Sequence, residues 1–273
     1  GEAWRGLAYR DGQRGEDPRA ALGRALADFE HAARLRPDLP DPWMWSAMTL
    51  RGIGEADAAR GGDPRPRFLE AEERLARAIS MPGAGAGPWV NRGHLRFSRG
   101  IAEEARGGDP LPIWMSAEED YRKVALRLPD HAESRWGLAA VLVRIARGMP
   151  ARGRDPARTL AAALETLDQA VQHDPHVASA RAKRASTLLE VAEVLHRVGA
   201  RVDETLRRAQ EDLDAAAQRE PENAYIRHHR GVARFVLARE AIDAGRDGRR
   251  EAREAAEELE VAVRLDPGNV DAW

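Results

Sequence analysis

The chain has no cysteine, which excludes disulfide staples, thiol nucleophiles and thiolate metal sites. Lysine is nearly missing too: the basic residues are Arg except for Lys123 and Lys183. Neither sign of charge dominates, with 43 basic residues against 45 acidic ones and a formal net charge of −2. A nucleic acid or an anionic membrane surface calls for a one-signed field, so neither partner is expected. No apolar run approaches the roughly 20 residues of a membrane span. No signal peptide is visible, and a cytoplasmic location is expected. Aromatic residues make up only 5%, while charged residues reach 32% and hydrophobic ones 43%, a balance typical of helix-rich proteins. The Ala, Arg, Gly and Pro that fill the chain fit a GC-rich bacterial genome.

What the sequence does have is a beat. Ala25 recurs 46 residues on as Ala71, then as Ala117, Ala163, Ala209 and Ala255. The same step takes Phe29 to Leu75, Tyr121, Leu167, Leu213 and Leu259, and Ala32 to Ala78, Val124, Ala170, Ala216 and Ala262. Pro37 leads to Gly83 (with Pro82 beside it), Pro129, Pro175, Pro221 and Pro267. A period of this size marks a stacked repeat, in which each unit buries its apolar face on its neighbours.

The unit from Asp41 to Ala86 shows the grammar. Asp41-Pro42 reads as an N-cap followed by a first helical residue that has no N–H to lose. Apolar or small residues at Trp43, Ala47, Leu50, Ile53 and Gly54 keep helical spacing. Gly61 ends that helix, and its column is Gly15, Gly61, Gly107, Gly153, Gly199 and Gly245, the residue that takes a left-handed conformation most cheaply. Asp17-Pro18, Asp63-Pro64, Asp109-Pro110 and Asp155-Pro156 start the second helices; the signal decays at Val202-Asp203 and Asp247-Gly248. Each unit is therefore two antiparallel helices of roughly 17–18 residues.

These columns resemble the tetratricopeptide repeat (TPR) family. Its second-helix pattern stands here as Ala25, Phe29, Ala32 and Pro37. Its first-helix Trp matches Trp43, Trp89 and Trp273, where Arg135, Arg181 and Arg227 stand in other units. Its small residue matches Ala47, Gly93, Ala139, Ala185 and Gly231. The family's repeat is about 34 residues; this one is 46. The added turns carry a second small column at Ala8, Gly54, Gly100, Ala146, Ala192 and Ala238, which lets the longer helices stay close. The resemblance implies an all-α, right-handed α-solenoid of antiparallel helix pairs over 1–273. Its units are 1–40 (partial), 41–86, 87–132, 133–178, 179–224 and 225–270, with 271–273 opening a seventh. Neither end reads as a polar cap, so a segment of a longer protein or end-to-end self-association is expected.

Catalytic and metal chemistry find little support in the residues. His173-x2-His176 and His228-His229 lack further ligands at useful spacing, there is no His-Glu-x-x-His, and no metal or cofactor is expected. Glu118-Glu119-Asp120 and Glu257-Glu258 lie near the first half of second helices, where the dipole favours them, and nothing implies the burial and convergence of a catalytic pair. The run from Gly83 to Gly87 lacks the Lys-Ser/Thr of a phosphate loop and reads as a turn between units. No nucleophile elbow is present, and no enzyme is expected.

By the same resemblance, first helices line a concave groove through the columns of Asp41, Met44, Met48 and Arg51. The groove candidates are Met44, Met48, His94, Phe97, Trp136, Val143, Leu189, Tyr225, His228 and Phe235. Phe97 and Phe235 follow Arg96 and Arg234 in a column held elsewhere by Leu50, Leu142 and Leu188. A small helix rotation would bury the Phe and expose the Arg; the alternative is that each Phe faces the groove. Met44 and Met48 suit inter-unit packing or an adaptable contact surface, and Trp43 and Trp89 read as core. The function expected is a non-catalytic scaffold that takes a peptide, helix or protein surface. Alternatives are a sensor or adaptor segment of a bacterial kinase or ATPase, and a self-assembling module.

Overall fold

The computed structural model describes residues 1–172 and 177–266. Pro175, the His173/His176 pair, Pro267 and the opening of a seventh unit with Trp273 lie outside the described residues. Among the described residues there are twelve α-helices, one 3-10 turn and no strand. The chain divides into two compact units, Gly1–Val141 and Leu142–Trp273.

In the first unit α1 (Glu2–Gln13) pairs with α2 (Arg19–Leu35), α3 (Pro40–Ala59) with α4 (Arg65–Ser80), and α5 (Gly87–Ala105) with α6 (Leu111–Arg127). Each pair leans on the next: α2 packs on α3, α4 on α5, and the first helices α3 and α5 touch directly. The boundary between the units falls within α7 (Ala132–Gly148). In the second unit a 3-10 turn (Pro150–Arg152) precedes α8 (Ala157–Gln172). Next, α9 (Ala178–Arg197) pairs with α10 (Asp203–Arg219), and α11 (Ala224–Asp243) with α12 (Arg249–Leu265).

The glycine column closes every hairpin. Gly15, Gly61, Gly107, Gly153, Gly199 and Gly245 all have φ between 66° and 78°. In each, the next residue's N–H reaches back five residues to a carbonyl, as Gly62 N donates to Asp57 O in α3 at 2.8 Å and Arg154 N to Met149 O, just past Gly148, at 3.0 Å. This is a Schellman closure, which satisfies carbonyls that the helix end would otherwise leave bare. A Cβ at any of the six would meet nothing within 4 Å, so the backbone conformation, not crowding, requires glycine.

Second helices begin at their Asp-Pro signals but one residue later than expected, with Pro18, Pro64 and Pro110 in the capping position. Asp17, Asp63, Asp109 and Asp155 each accept from the backbone N–H two residues on, at 2.9–3.1 Å. Asp247, where the sequence signal had faded, does the same for Arg249 at 3.0 Å. Hydrogen bonds from the Arg19 guanidinium and then its backbone N–H hold the Asp17 carboxyl at about 2, and Arg65 does the same for Asp63. First helices differ from expectation: α3 begins at Pro40, with Leu39 in the capping position, so Asp41 lies inside the first turn. In the equivalent position of α11, Asn223 accepts from Ile226 N at 3.3 Å.

The recurring alanines sit at the helix crossings. Ala25, Ala71, Ala117, Ala163 and Ala209 are fully buried and Ala255 is 2% exposed. Volumes in facing columns compensate. Where the second helix carries Phe68 or Trp114, the first helix carries Gly54 or Gly100, and a Cβ on Gly54 would come within 2.6 Å of the Phe68 ring. Where it carries Leu22, Leu160 or Leu206, the small residue is Ala8, Ala146 or Ala192, all buried. Gly93 yields in the same way to Tyr121, at 2.7 Å from a Cβ built there. Close packing leaves no room for both partners to grow.

Candidate functional site

First helices lie side by side within each unit and are laced by polar contacts. In the first unit Ser98 donates to Glu55 at 2.6 Å, joining α5 to α3. In the second, Arg144 faces Glu190 at 3.6 Å and Arg147 faces Glu193 at 3.3 Å, joining α7 to α9. Tyr225 Oη donates to Ser186 Oγ at 3.0 Å, joining α11 to α9.

The groove candidates separate by burial. Val143 and Leu189 are 1% and 6% exposed, so these two side chains belong to the packed interior and not to an accessible lining. Met44 packs on the cluster of Ala47, Leu50 and Phe68 and approaches Gly87 at the start of α5, which is packing between successive helix pairs. Met48, Phe97 and Trp136 are half-buried. His94 is also half-buried, its ring 5.6 Å from Tyr121 and its Nδ1 3.8 Å from Glu133.

The most open part of the expected lining is on α11. Tyr225, His228, Val232, Phe235 and Ile242 follow one helical stripe; Tyr225 is 43%, Phe235 58% and Ile242 62% exposed. Tyr225 stacks near His229 at 4.1 Å, and His229 meets His228 edge-on at 5.0 Å. Of the two orientations open to the Arg-Phe pair, the structure takes the one with Phe235 outward. Arg234 turns to Glu254 on α12, and Arg96 turns inward to Glu72 and Asp120 at 2.8 Å each.

Trp43 and Trp89 are half-buried, a correction to their expected place in the core. A cation covers each ring: Arg77 lies 3.8 Å from Trp43, and Arg92 and Lys123 lie 4.8 and 4.7 Å from Trp89. Trp89, Lys123, Val124, Arg127 and Leu128 line a cavity of about 280 Å³ beside the Gly85 turn.

Contrary to the expectation for its cluster, Asp120 is fully buried. Arg92 grips it bidentately at 2.7 and 2.9 Å while Arg96 adds 2.8 Å. Two steps of the pattern later, Asp212 is held by Arg184 at 2.6 and 2.7 Å and by Arg181 at 3.0 Å. Glu258 sits between Arg227 and Arg230, each at 2.9 Å. Hydrogen bonds to Asp120 and Asp212 raise the pKa of Arg92 and of Arg184. Each carboxylate has both oxygens engaged, so it fastens a second helix to a first helix. The signal was present in the sequence: Arg92, Arg184 and Arg230 share one column, and Asp120, Asp212 and Glu258 another. Where the carboxylate column holds Arg74 or Thr166, the arginine column holds Ser46 or Leu138.

No protein-family model and no curated protein matches the chain. Several solved structures are similar to it. YrrB, described as a TPR protein with an unusual peptide-binding site, shares 15% identity over 89% of this chain and 95% of its own, with a TM-score of 0.43. A tetratricopeptide repeat protein from Parabacteroides merdae shares 14% identity over 97% of this chain and 94% of its own, with a TM-score of 0.48. MamA from Desulfovibrio magneticus RS-1 shares 18% identity over 82% and 97%, with a TM-score of 0.41. The chain's own hairpins repeat one design, with a buried alanine in each second helix and a left-handed glycine closing each pair. This is an α-helical repeat built of paired helices. Among the described residues, no helix is long and apolar enough to cross a membrane.

Proposed function

We propose that the chain is a non-catalytic scaffold whose first-helix faces hold a peptide or helix of a protein partner. The observation that carries this reading is the stripe on α11, where Tyr225, Phe235 and Ile242 are exposed on a helix whose other face is packed. Exposing one large apolar side chain is ordinary, but a row of them at helical spacing offers anchors for a complementary apolar segment. Tyr225 is fixed in place by Ser186, so its ordering cost is already met in the free protein. The half-buried Met48, Phe97 and Trp136 supply a similar, shallower surface in the first unit.

A selection from a displayed random-peptide library tests this. The full chain should enrich sequences with spaced apolar or aromatic residues, and Phe235→Ala together with Tyr225→Ala should lose them at unchanged helical content. Equal enrichment by the double variant would reject the α11 face as the docking surface.

A further inference from the structure

We propose that His196, Glu240 and Asp243 form a binding site for a borderline divalent transition-metal ion such as Zn²⁺, tying the end of α9 to the end of α11. The helices are the first members of two successive pairs and pack against each other. Glu240 and Asp243 are three residues apart in the last turn of α11, and so share a face. His196 stands in the last turn of α9. The donor atoms of the three side chains all lie within 4.8 Å of one another.

The closest approach argues for a shared cation. His196 Nδ1 lies 2.8 Å from Glu240 Oε1. That oxygen is shielded from solvent yet accepts no hydrogen bond. The imidazole nitrogen and the carboxylate oxygen therefore stand side by side, without one donating to the other. Two ligands about 2.1 Å from a tetrahedral ion stand about 3.4 Å apart, so a small side-chain adjustment would let both reach one ion. A shielded carboxylate oxygen with no donor is costly, and an ion between the groups removes that cost. The guanidinium of Arg239 is 4.0 Å from the same oxygen, too far for a hydrogen bond.

The surroundings suit a cation as well. Both helices end here, and helix C-termini carry partial negative charge. The donor set of one imidazole and two carboxylates suits Zn²⁺, Co²⁺, Ni²⁺ or Mn²⁺; Mg²⁺ and Ca²⁺ take oxygen ligands, and thiolate-seeking ions find no sulfur donor. His196 and Asp243 reach solvent, so water completes the coordination. The ion would act as a staple between repeats, stabilising the folded array by mass action.

Calorimetric titration of the full chain with Zn²⁺ and with Mg²⁺, alongside Co²⁺ absorption spectra, tests the site. One Zn²⁺ per chain is expected, with Mg²⁺ much weaker. His196→Ala and the near-isosteric Glu240→Gln should each weaken Zn²⁺ by more than about tenfold, the lower bound for changes merely next to ligands. Both variants should keep the helical signal of the parent. His228→Ala with His229→Ala should leave binding unchanged. Undiminished Zn²⁺ binding by His196→Ala, equal affinity for Mg²⁺, or no binding by the parent would each overturn the proposal.

Discussion

The guanidinium Nε of Arg135 donates to the carbonyl of Pro129, six residues earlier, at 2.6 Å. Arg227 repeats the contact with Pro221 at 2.8 Å, and the indole N–H of Trp43 reaches Pro37 at 3.4 Å. The departure from Trp to Arg in this column thus preserves a donor to the proline that ends the preceding helix. Arg135→Leu should lose about 1 kcal/mol, and Arg135→Trp should lose less. Urea unfolding of the three proteins checks the order; equal midpoints would show the contact to be idle.

Gly100 and Trp114 form a size-matched pair in which a Cβ would collide with the indole. Gly100→Ala should therefore cost about 1–3 kcal/mol by overpacking. Adding Trp114→Leu should recover part of that loss, because Ala146 with Leu160 and Ala192 with Leu206 occupy the same columns. A double-mutant cycle should show coupling of at least about 1 kcal/mol. Strict additivity would mean that the two columns do not constrain each other.

Gly153 has φ of 66° and open space around its Cα. A β-branched residue there meets backbone strain alone, of about 1–2 kcal/mol. Gly153→Val should lower the thermal midpoint well below that of Arg154→Ala, its neighbour. Matching midpoints would mean the turn can reopen without penalty.

Asp120 neutralises two arginines whose side chains are 14% and 17% exposed. Asp120→Ala should be severe, about 3 kcal/mol, since it takes the carboxylate from Arg92 and leaves Arg96 with Glu72 alone. Replacing Arg92 by Leu and Asp120 by Thr together, the residues at Leu138 and Thr166 in the same columns, should be milder than the single change. Chemical denaturation of both variants decides; a double variant worse than Asp120→Ala would contradict the idea that breaking the pair, more than lacking it, is what destabilises.

The hairpins were legible in the sequence because glycine at a left-handed turn and alanine at a close crossing are each dictated by one local constraint. Those columns survive a fixed step of 46 residues and can be read singly. Arg96 and Phe97, or Arg234 and Phe235, are adjacent, and which one turns inward depends on a carboxylate on another helix. Glu72, Asp120 and Glu254 supply that carboxylate, so the orientation is a property of pairs of columns. The burial of Asp120 was hard to read for the same reason: its partner Arg92 is 28 residues away. Trp43 and Trp89 read as core in the sequence, whereas covering cations let their rings remain at the edge. His196 stands 44 residues before Glu240, a spacing that no local metal motif contains.

The central claim is that a 46-residue step lays down helix pairs that lean only on their neighbours. Removing residues 41–86 joins Pro40 to Gly87 and keeps every column in register; removing 41–74 joins Pro40 to Leu75 and breaks it. Far-UV circular dichroism through thermal unfolding compares the two deletions. The account predicts that the first keeps the parent's helical signal per residue and one cooperative transition at a lower midpoint, while the second loses both. Two deletions that behave alike, or an unfolded 41–86 deletion, would contradict it.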